Sequence, residues 1–216
     1  MTRDSRDKAP GVLTKIRRVA ALAASMRVLE IGCGFGRLTR VLAPLVGEIV
    51  AVDISAHALD RARAESAAKN VEYVEGDALE FRTRARFDLV VATAVFEHFG
   101  ETEQKAFLAG ATRWLAKDGR LVLHVPIANS WSAGRRKKRR GVEGPDFTGD
   151  LTHRVIFSVS TFRRALAAGG FGIDREWIRY SRLGWPEGWS LVAFRAMPGF
   201  IRERFAMEMI ASAAPR

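Results

Sequence analysis

The 216-residue chain is poor in the residues that staple or anchor a protein from outside its core. It has one cysteine, Cys33, so no disulfide can form within the chain, and a lone thiol fits a reducing, cytoplasmic compartment. Long apolar runs are missing as well. The longest stretch free of Asp, Glu, Lys and Arg, Leu121 to Gly134, is broken by Pro126, Asn129, Ser130 and Ser132. It falls short of the ~18 apolar residues in a row that a membrane-spanning helix needs. Arg17-Arg18 followed by VAALAASM has the order of a signal peptide, but the apolar block is short and runs directly into a strand-like segment. Negative charge is scarce: 24 Asp and Glu stand against 35 Lys and Arg, a net charge of +11 that suits an acidic partner or substrate. Much of the surplus is local, because Arg135 to Arg140 are all basic.

What remains is the composition of a globular protein. Hydrophobic residues make up 48% of the chain, enough to bury a full core and too many for a disordered chain. The length argues for a single domain over residues 1–216, with residues 1–12 as a polar, loose tail. Apolar residues recur at helical spacing over Leu13 to Met26, Arg37 to Leu45, Ser55 to Lys69, Thr102 to Ala116 and Ser160 to Ala168. Between them lie short β-branched runs: Arg27 to Ile31, Glu48 to Val52, Val71 to Val74, Phe87 to Ala92, Arg120 to Val125 and Ile173 to Tyr180. Phe205 to Ala211 can supply a last strand. Ser55 is placed to cap its helix, Gly119 to end a helix in a left-handed turn at Lys117-Asp118-Gly119, and Gly169-Gly170 to end another. Strand and helix alternate throughout, the pattern of an α/β fold with an open, mostly parallel sheet covered on both faces. Residues 129–154 break the pattern with glycine, proline and charge, and read as an inserted basic loop. Trp185, Trp189, Phe194 and Phe200 crowd residues 184–200, a candidate hydrophobic lid.

The sharpest feature is VLEIGCGFGRLTRVL, residues 28–42, in which a strand feeds Gly32, Gly34 and Gly36 and a helix starts at once. Glycines there permit a tight turn and let a ligand approach bare backbone. A nicotinamide dinucleotide site uses G-x-G-x-x-G, yet the third glycine position holds Arg37 and glycine falls at Gly36 instead. Glu30 is badly placed for a pyrophosphate and well placed for a cationic ligand, or it pairs a nearby arginine. Asp53 ends the second strand, where a carboxylate can accept from both ribose hydroxyls or cap the next helix.

These residues and their order resemble the class I S-adenosylmethionine-dependent methyltransferases of the small-molecule type seen in quinone biosynthesis. E-x-G-x-G-x-G at 30–36, V-D-I at 52–54, G-D-A at 76–78, F-D-L-V at 87–90, E-H at 97–98 and D-G-R-L-V-L at 118–123 follow that family's spacing over about residues 26–126. The resemblance implies a Rossmann-like, seven-stranded sheet and S-adenosylmethionine as cofactor. It implies cofactor contacts at Glu30, Gly32, Cys33, Gly34, Gly36 and Asp53, with Ile54 on the adenine, Asp77 and Ala78 at the adenine edge, and Thr93 and Ala94 beside the methionine end.

For the methyl acceptor, the place of the base-amino loop reads TAVFEH without proline, and no second cysteine stands ready for pyrimidine C5 chemistry. An oxygen or nitrogen of a small-molecule or lipid-like acceptor is the leading expectation. An RNA-directed enzyme and a non-catalytic cofactor-binding scaffold are the alternatives. His98, just beyond the fourth strand, and His153, in a D-x-T-H segment similar to one that reaches over the substrate in sugar and lipid methyltransferases, are the candidate bases. Either could instead tie its loop by hydrogen bonds. His57 and His124 read as structural. Quinone-pathway O-methyltransferases draw metal ligands from an E-x-x-E-H segment, but Ala94 stands at the first Glu position, so the sequence assigns no metal. The run Arg135 to Arg140 is a solvated loop or a contact for an anionic substrate, an anionic membrane surface or RNA.

Overall fold

A computed structural model describes residues 9–127, 152–180, 198–199 and 206–216. The basic run Arg135 to Arg140 and nearly all of the expected lid at 184–200 lie outside the described residues. Seven strands form one sheet: β1 (Arg27–Ile31), β2 (Glu48–Asp53), β3 (Val71–Glu75), β4 (Phe87–Thr93), β5 (Leu115–Pro126), β6 (Phe171–Tyr180) and β7 (Ala206–Pro215). Their spatial order is β3-β2-β1-β4-β5-β7-β6. The first five run parallel, and β7 lies antiparallel between β5 and β6. The helices are α1 (Ala9–Val19), α2 (Arg37–Leu42), α3 (Ala56–Glu65), α4 (Glu101–Trp114) and α5 (Val159–Ala168).

Alternation along the central strands splits the core into two layers. Leu29, Ile31, Val90 and Ala92 face Phe107, Leu108 and Trp114 of α4 and Phe162 and Leu166 of α5. Val28, Ala51, Leu89, Val91 and Val122 face Ile16 and Val19 of α1, Leu38 and Leu42 of α2 and Leu59 of α3. Glu30 falls on this second face at the register Glu30↔Ala51 and Glu30↔Val91, in the middle of the sheet. At the edge, β6 exposes Asp174, Arg175 and Glu176, charges that discourage pairing with another chain.

Several boundaries differ from the sequence expectation. Part of the expected tail at 1–12 is helical, since α1 covers Ala9 onward with Pro10 in the first turn, where its missing N–H costs nothing. The first helix stops at Val19 instead of Met26: Met26 N donates to Ala23 O (3.0 Å) in a separate turn, and Met26 O accepts from Gly47 N (2.9 Å) and Glu48 N (3.2 Å) at the entry to β2. A Cβ on Gly47 would lie 2.6 Å from Ala24 O, so backbone meets backbone there. Gly119 does not adopt a left-handed conformation; β5 starts at Leu115 and carries an irregularity opposite Phe87 and Leu89. What Gly119 supplies is room, since its Cβ would lie 2.7 Å from Phe87 O. α3 ends at Glu65, short of Lys69, and Asn70 holds the loop by donating to Ala43 O and Val46 O. Ser55 caps α3 as expected, its Oγ accepting from Ala58 N at 3.2 Å, and Gly170 takes the left-handed turn after α5 with φ +82°.

Candidate active site

The carboxyl ends of β1, β2 and β4 converge on the glycine loop. Gly32, Gly34 and Gly36 all have positive φ, +73°, +51° and +66°. They are glycines for different reasons. A Cβ on Gly32 would lie 2.3 Å from Val95 Cγ2, and one on Gly36 would lie 2.7 Å from the Tyr73 hydroxyl, so these two are set by packing. A Cβ on Gly34 would meet nothing within 4 Å. Its backbone borders open space, the condition for a ligand to lie against it. Gly32 N and Cys33 N both donate to Val52 O, at 2.8 and 3.1 Å, which ties the loop to the end of β2.

Beside this loop stand the expected carboxylates. Glu30 is 2% exposed and accepts from Thr39 Oγ1 at 2.7 Å. Burial pushes its pKa up to about 7, against the opposing Thr39 hydrogen bond, and the charge of Asp53 adds to the rise. A carboxylate so placed gains most from a bound cation. Asp53 does more than await a ribose: Oδ2 accepts from Gly34 N at 2.7 Å and Oδ1 from Ser55 N at 2.9 Å. A carboxylate has roughly four lone-pair sites, so two remain for hydroxyl donors. Ile54 is 69% exposed, a large apolar side chain left open where the adenine face was expected. Asp77 Oδ1 accepts from Leu79 N at 2.7 Å in a side-chain turn, and its main-chain oxygen accepts from Glu80 N and Phe81 N. Ala78 packs, half-buried, beside the core. Cys33 is buried, and burial followed by the charges of Glu30 and Asp53 raises its pKa, so the thiol stays protonated and serves as packing.

Thr93 and Ala94 leave β4 next to the loop. Ala94 is the only non-glycine described with positive φ (+55°), a strained position held by its N–H on His124 O at 3.0 Å. The chain then brings together two histidines 55 residues apart. His98 Nδ1 lies 3.2 Å from Thr152 O and 3.0 Å from Thr152 Oγ1. The His98 and His153 rings stand 4.8 Å apart at 70°. His153 Nε2 is 3.9 Å from Oε1 of Glu97, a carboxylate only 1% exposed. The segment carrying His153 is clamped, since Arg154 N and Val155 N both donate to Glu97 O at 3.0 Å, and Arg154 pairs with Glu103. His124 Nε2 meets Glu208 at 3.0 Å and His57 packs edge-on against Phe35.

Sequence reasoning named Glu30, Asp53, His98 and His153 but missed three partners: Thr39, Val95 and the buried Glu97 as neighbour of His153. Thr39 alone left a trace, a polar residue between the apolar Leu38 and Leu42 of α2.

Residues 28–119 match the methyltransferase-domain family. A ubiquinone biosynthesis O-methyltransferase from Bradyrhizobium sp. (strain ORS 278) is 33% identical over 112 residues, 51% of this chain and 43% of the relative. The chain spans less than half the length of the first curated relatives it matches. Among solved structures, a methyltransferase of Bacillus halodurans C-125 superposes with a TM-score of 0.68 at 23% identity, covering 95% of this chain and 98% of its own. The N-methyltransferase NodS of Bradyrhizobium japonicum WM9, solved with S-adenosylhomocysteine, gives a TM-score of 0.64 at 19% identity, covering 99% and 89%. Residues 28–119 thus resemble the methyltransferase-domain family in sequence, and the seven-stranded sheet has the fold of these methyltransferase structures.

Proposed function

We propose that the chain transfers the methyl group of S-adenosylmethionine to an oxygen or nitrogen of a small-molecule or lipid-like acceptor in the cytoplasm. The observation that carries this reading is the continuity of two half-sites across β4. On one side lie Gly34, Glu30, Asp53 and Ile54, a cradle for a cationic nucleoside; on the other, a few residues past Ala94, lies the His98–His153 pair. In the reaction a lone pair of the acceptor attacks the methyl carbon in line, the carbon–sulfur bond breaks with its electrons going to sulfur, and the acceptor loses a proton. Orientation supplies most of the acceleration, and the imidazoles are the groups suited to meet the acceptor's protic atom.

Calorimetry with S-adenosylhomocysteine and with NAD tests the cofactor half; binding of NAD alone overturns the reading. Labelled S-adenosylmethionine incubated with fractionated metabolites and lipids tests the other half. Label entering RNA, and no small molecule, would shift the acceptor class.

A further inference from the structure

We propose that Lys15, His124 and Arg179 form a subsite for an oxyanion, a phosphate or carboxylate group carried by the methyl acceptor. The proposal rests on the methyltransferase reading above and narrows its substrate class. Three strands and a helix meet at Glu208 of β7. Lys15 of α1 donates to its carboxylate at 2.8 Å, His124 Nε2 of β5 lies 3.0 Å from Oε2, and Arg179 of β6 pairs with Oε1. The cross-strand pairs Pro126↔Glu208 and Arg179↔Glu208 put these groups at the carboxyl edge of the sheet. Glu208 shares the α1-covered face with Ile210, two residues along the strand. His124 is the register partner of Thr93, and its main-chain oxygen accepts from Ala94 N at 3.0 Å. The cluster therefore adjoins the point where Thr93 and Ala94 leave β4.

The charge balance of the cluster calls for another anion. The side chains of Lys15, His124 and Glu208 are only 18%, 13% and 12% exposed. Burial works to raise the Glu208 pKa, yet the hydrogen bonds from His124 and Lys15 hold it down at about 2, so the carboxylate is ionised. Both of its oxygens are taken, Oε2 by Lys15 and His124 and Oε1 by Arg179. One carboxylate thus faces two cations, and among the described residues no second acidic group pairs with either. Arg18 of α1 adds a third cation, held 5.2 Å over the ring of Trp177, which is the register partner of Ile210. A partly buried surplus of one sign is costly until a counter-charge meets it. An ammonium and a guanidinium also carry more N–H donors than these contacts use, and the rest make no hydrogen bond to a described residue. An oxyanion matches them, since a guanidinium grips two oxygens at once. Glu208 holds the cations in place beforehand, which lowers the ordering cost of binding. It stands two strands from β4, roughly 10 Å at about 4.8 Å per strand. The acceptor is therefore an extended molecule with its acidic group well removed from the methylated atom.

The test uses the full chain saturated with S-adenosylhomocysteine, so that the cofactor's own carboxylate is already in place. The chain has four histidines, and the His124 ring signal in NMR is identified by its loss in H124Q. Titration with inorganic phosphate, and separately with acetate, should shift that signal, and the tighter of the two names the group. Lys15→Gln and Arg179→Gln should each weaken the binding at least about tenfold, the worth of one charge-assisted hydrogen bond. Lys105→Gln, an exposed lysine paired with Glu101, should leave it unchanged. Both cluster variants should keep the parent's affinity for S-adenosylhomocysteine. Labelled methyl groups should enter metabolites that an anion exchanger retains, and that incorporation should fall in the same two variants. Arg179, half-exposed, decides alone if Lys15→Gln fails to fold. No shift of the His124 signal with either anion, or a shift that survives in the variants, overturns the proposal. So does a loss of S-adenosylhomocysteine affinity in variants that still unfold cooperatively in urea, which would make the cluster a cofactor contact. A parent chain that binds no S-adenosylhomocysteine refutes the methyltransferase reading instead, and the anion titration of the free chain still decides the subsite.

Discussion

The contact between Gly32 and Val95 ties the glycine loop to the segment leading into the histidine cluster, and Gly32→Ala tests it. Two costs add. The position has φ +73°, in the left-handed region, which costs a residue bearing a Cβ about 1–2 kcal/mol. The new methyl would also lie 2.3 Å from Val95 Cγ2, far inside contact distance, and Val95 is β-branched with little rotamer freedom. Overpacking of that kind costs typically about 1–3 kcal/mol. The sum is roughly 2–5 kcal/mol, a large share of the ~5–15 kcal/mol that holds a domain together. Urea unfolding should show a lower midpoint with an unchanged slope. The double variant Gly32→Ala/Val95→Ala removes the atom that is struck but leaves the backbone strain. It should therefore be more stable than the sum of the single effects by about 1–3 kcal/mol, a coupling within the range for residues in contact. Additive effects would refute the packing account, and a Gly32→Ala protein as stable as the parent would refute both parts.

Asp53→Ala should weaken S-adenosylhomocysteine binding at least about tenfold, from roughly 1.5–3 kcal/mol per charged hydrogen bond lost. It should also lower the melting temperature of the free protein, because Gly34 N and Ser55 N lose their acceptor; an unchanged dissociation constant would remove the ribose role. For Glu30, burial raises the folded-state pKa above the ordinary carboxyl value to about 7. Its contribution to free-protein stability is therefore full below about pH 4.5 and lost as pH rises to about 7. Glu30→Gln should flatten that dependence in urea melts. In the parent, affinity for cationic S-adenosylmethionine should rise across neutral pH, and calorimetry of Glu30→Gln should show no such rise.

Much of the fold was legible because its signals are local. A run such as RVLEIG has one plausible conformation, and the glycines at 32, 34 and 36 occupy backbone geometry that disfavours other residues whatever surrounds them. The residues proposed for the cofactor follow from the same locality, since they stand at strand ends and strand ends are written in the sequence. Three things depended on the assembled chain. The first helix could have run to Met26 on periodicity alone, and stops at Val19, beyond which the chain turns and pairs Met26 O with Gly47 and Glu48. Gly119 looked like a left-handed cap, and its requirement turned out to be clearance from Phe87 O. Most of all, nothing in the spacing of Glu97, His98 and His153 says that they meet. Their approach depends on β4 and the segment before α5 arriving at the same end of the sheet, and on Glu97 O accepting from Arg154 N and Val155 N. The sequence by itself determined the elements and the glycine loop with its carboxylates, because local backbone preference and side-chain period are properties of short segments. Tertiary structure alone decided the histidine cluster, because it is made of contacts between residues more than fifty positions apart.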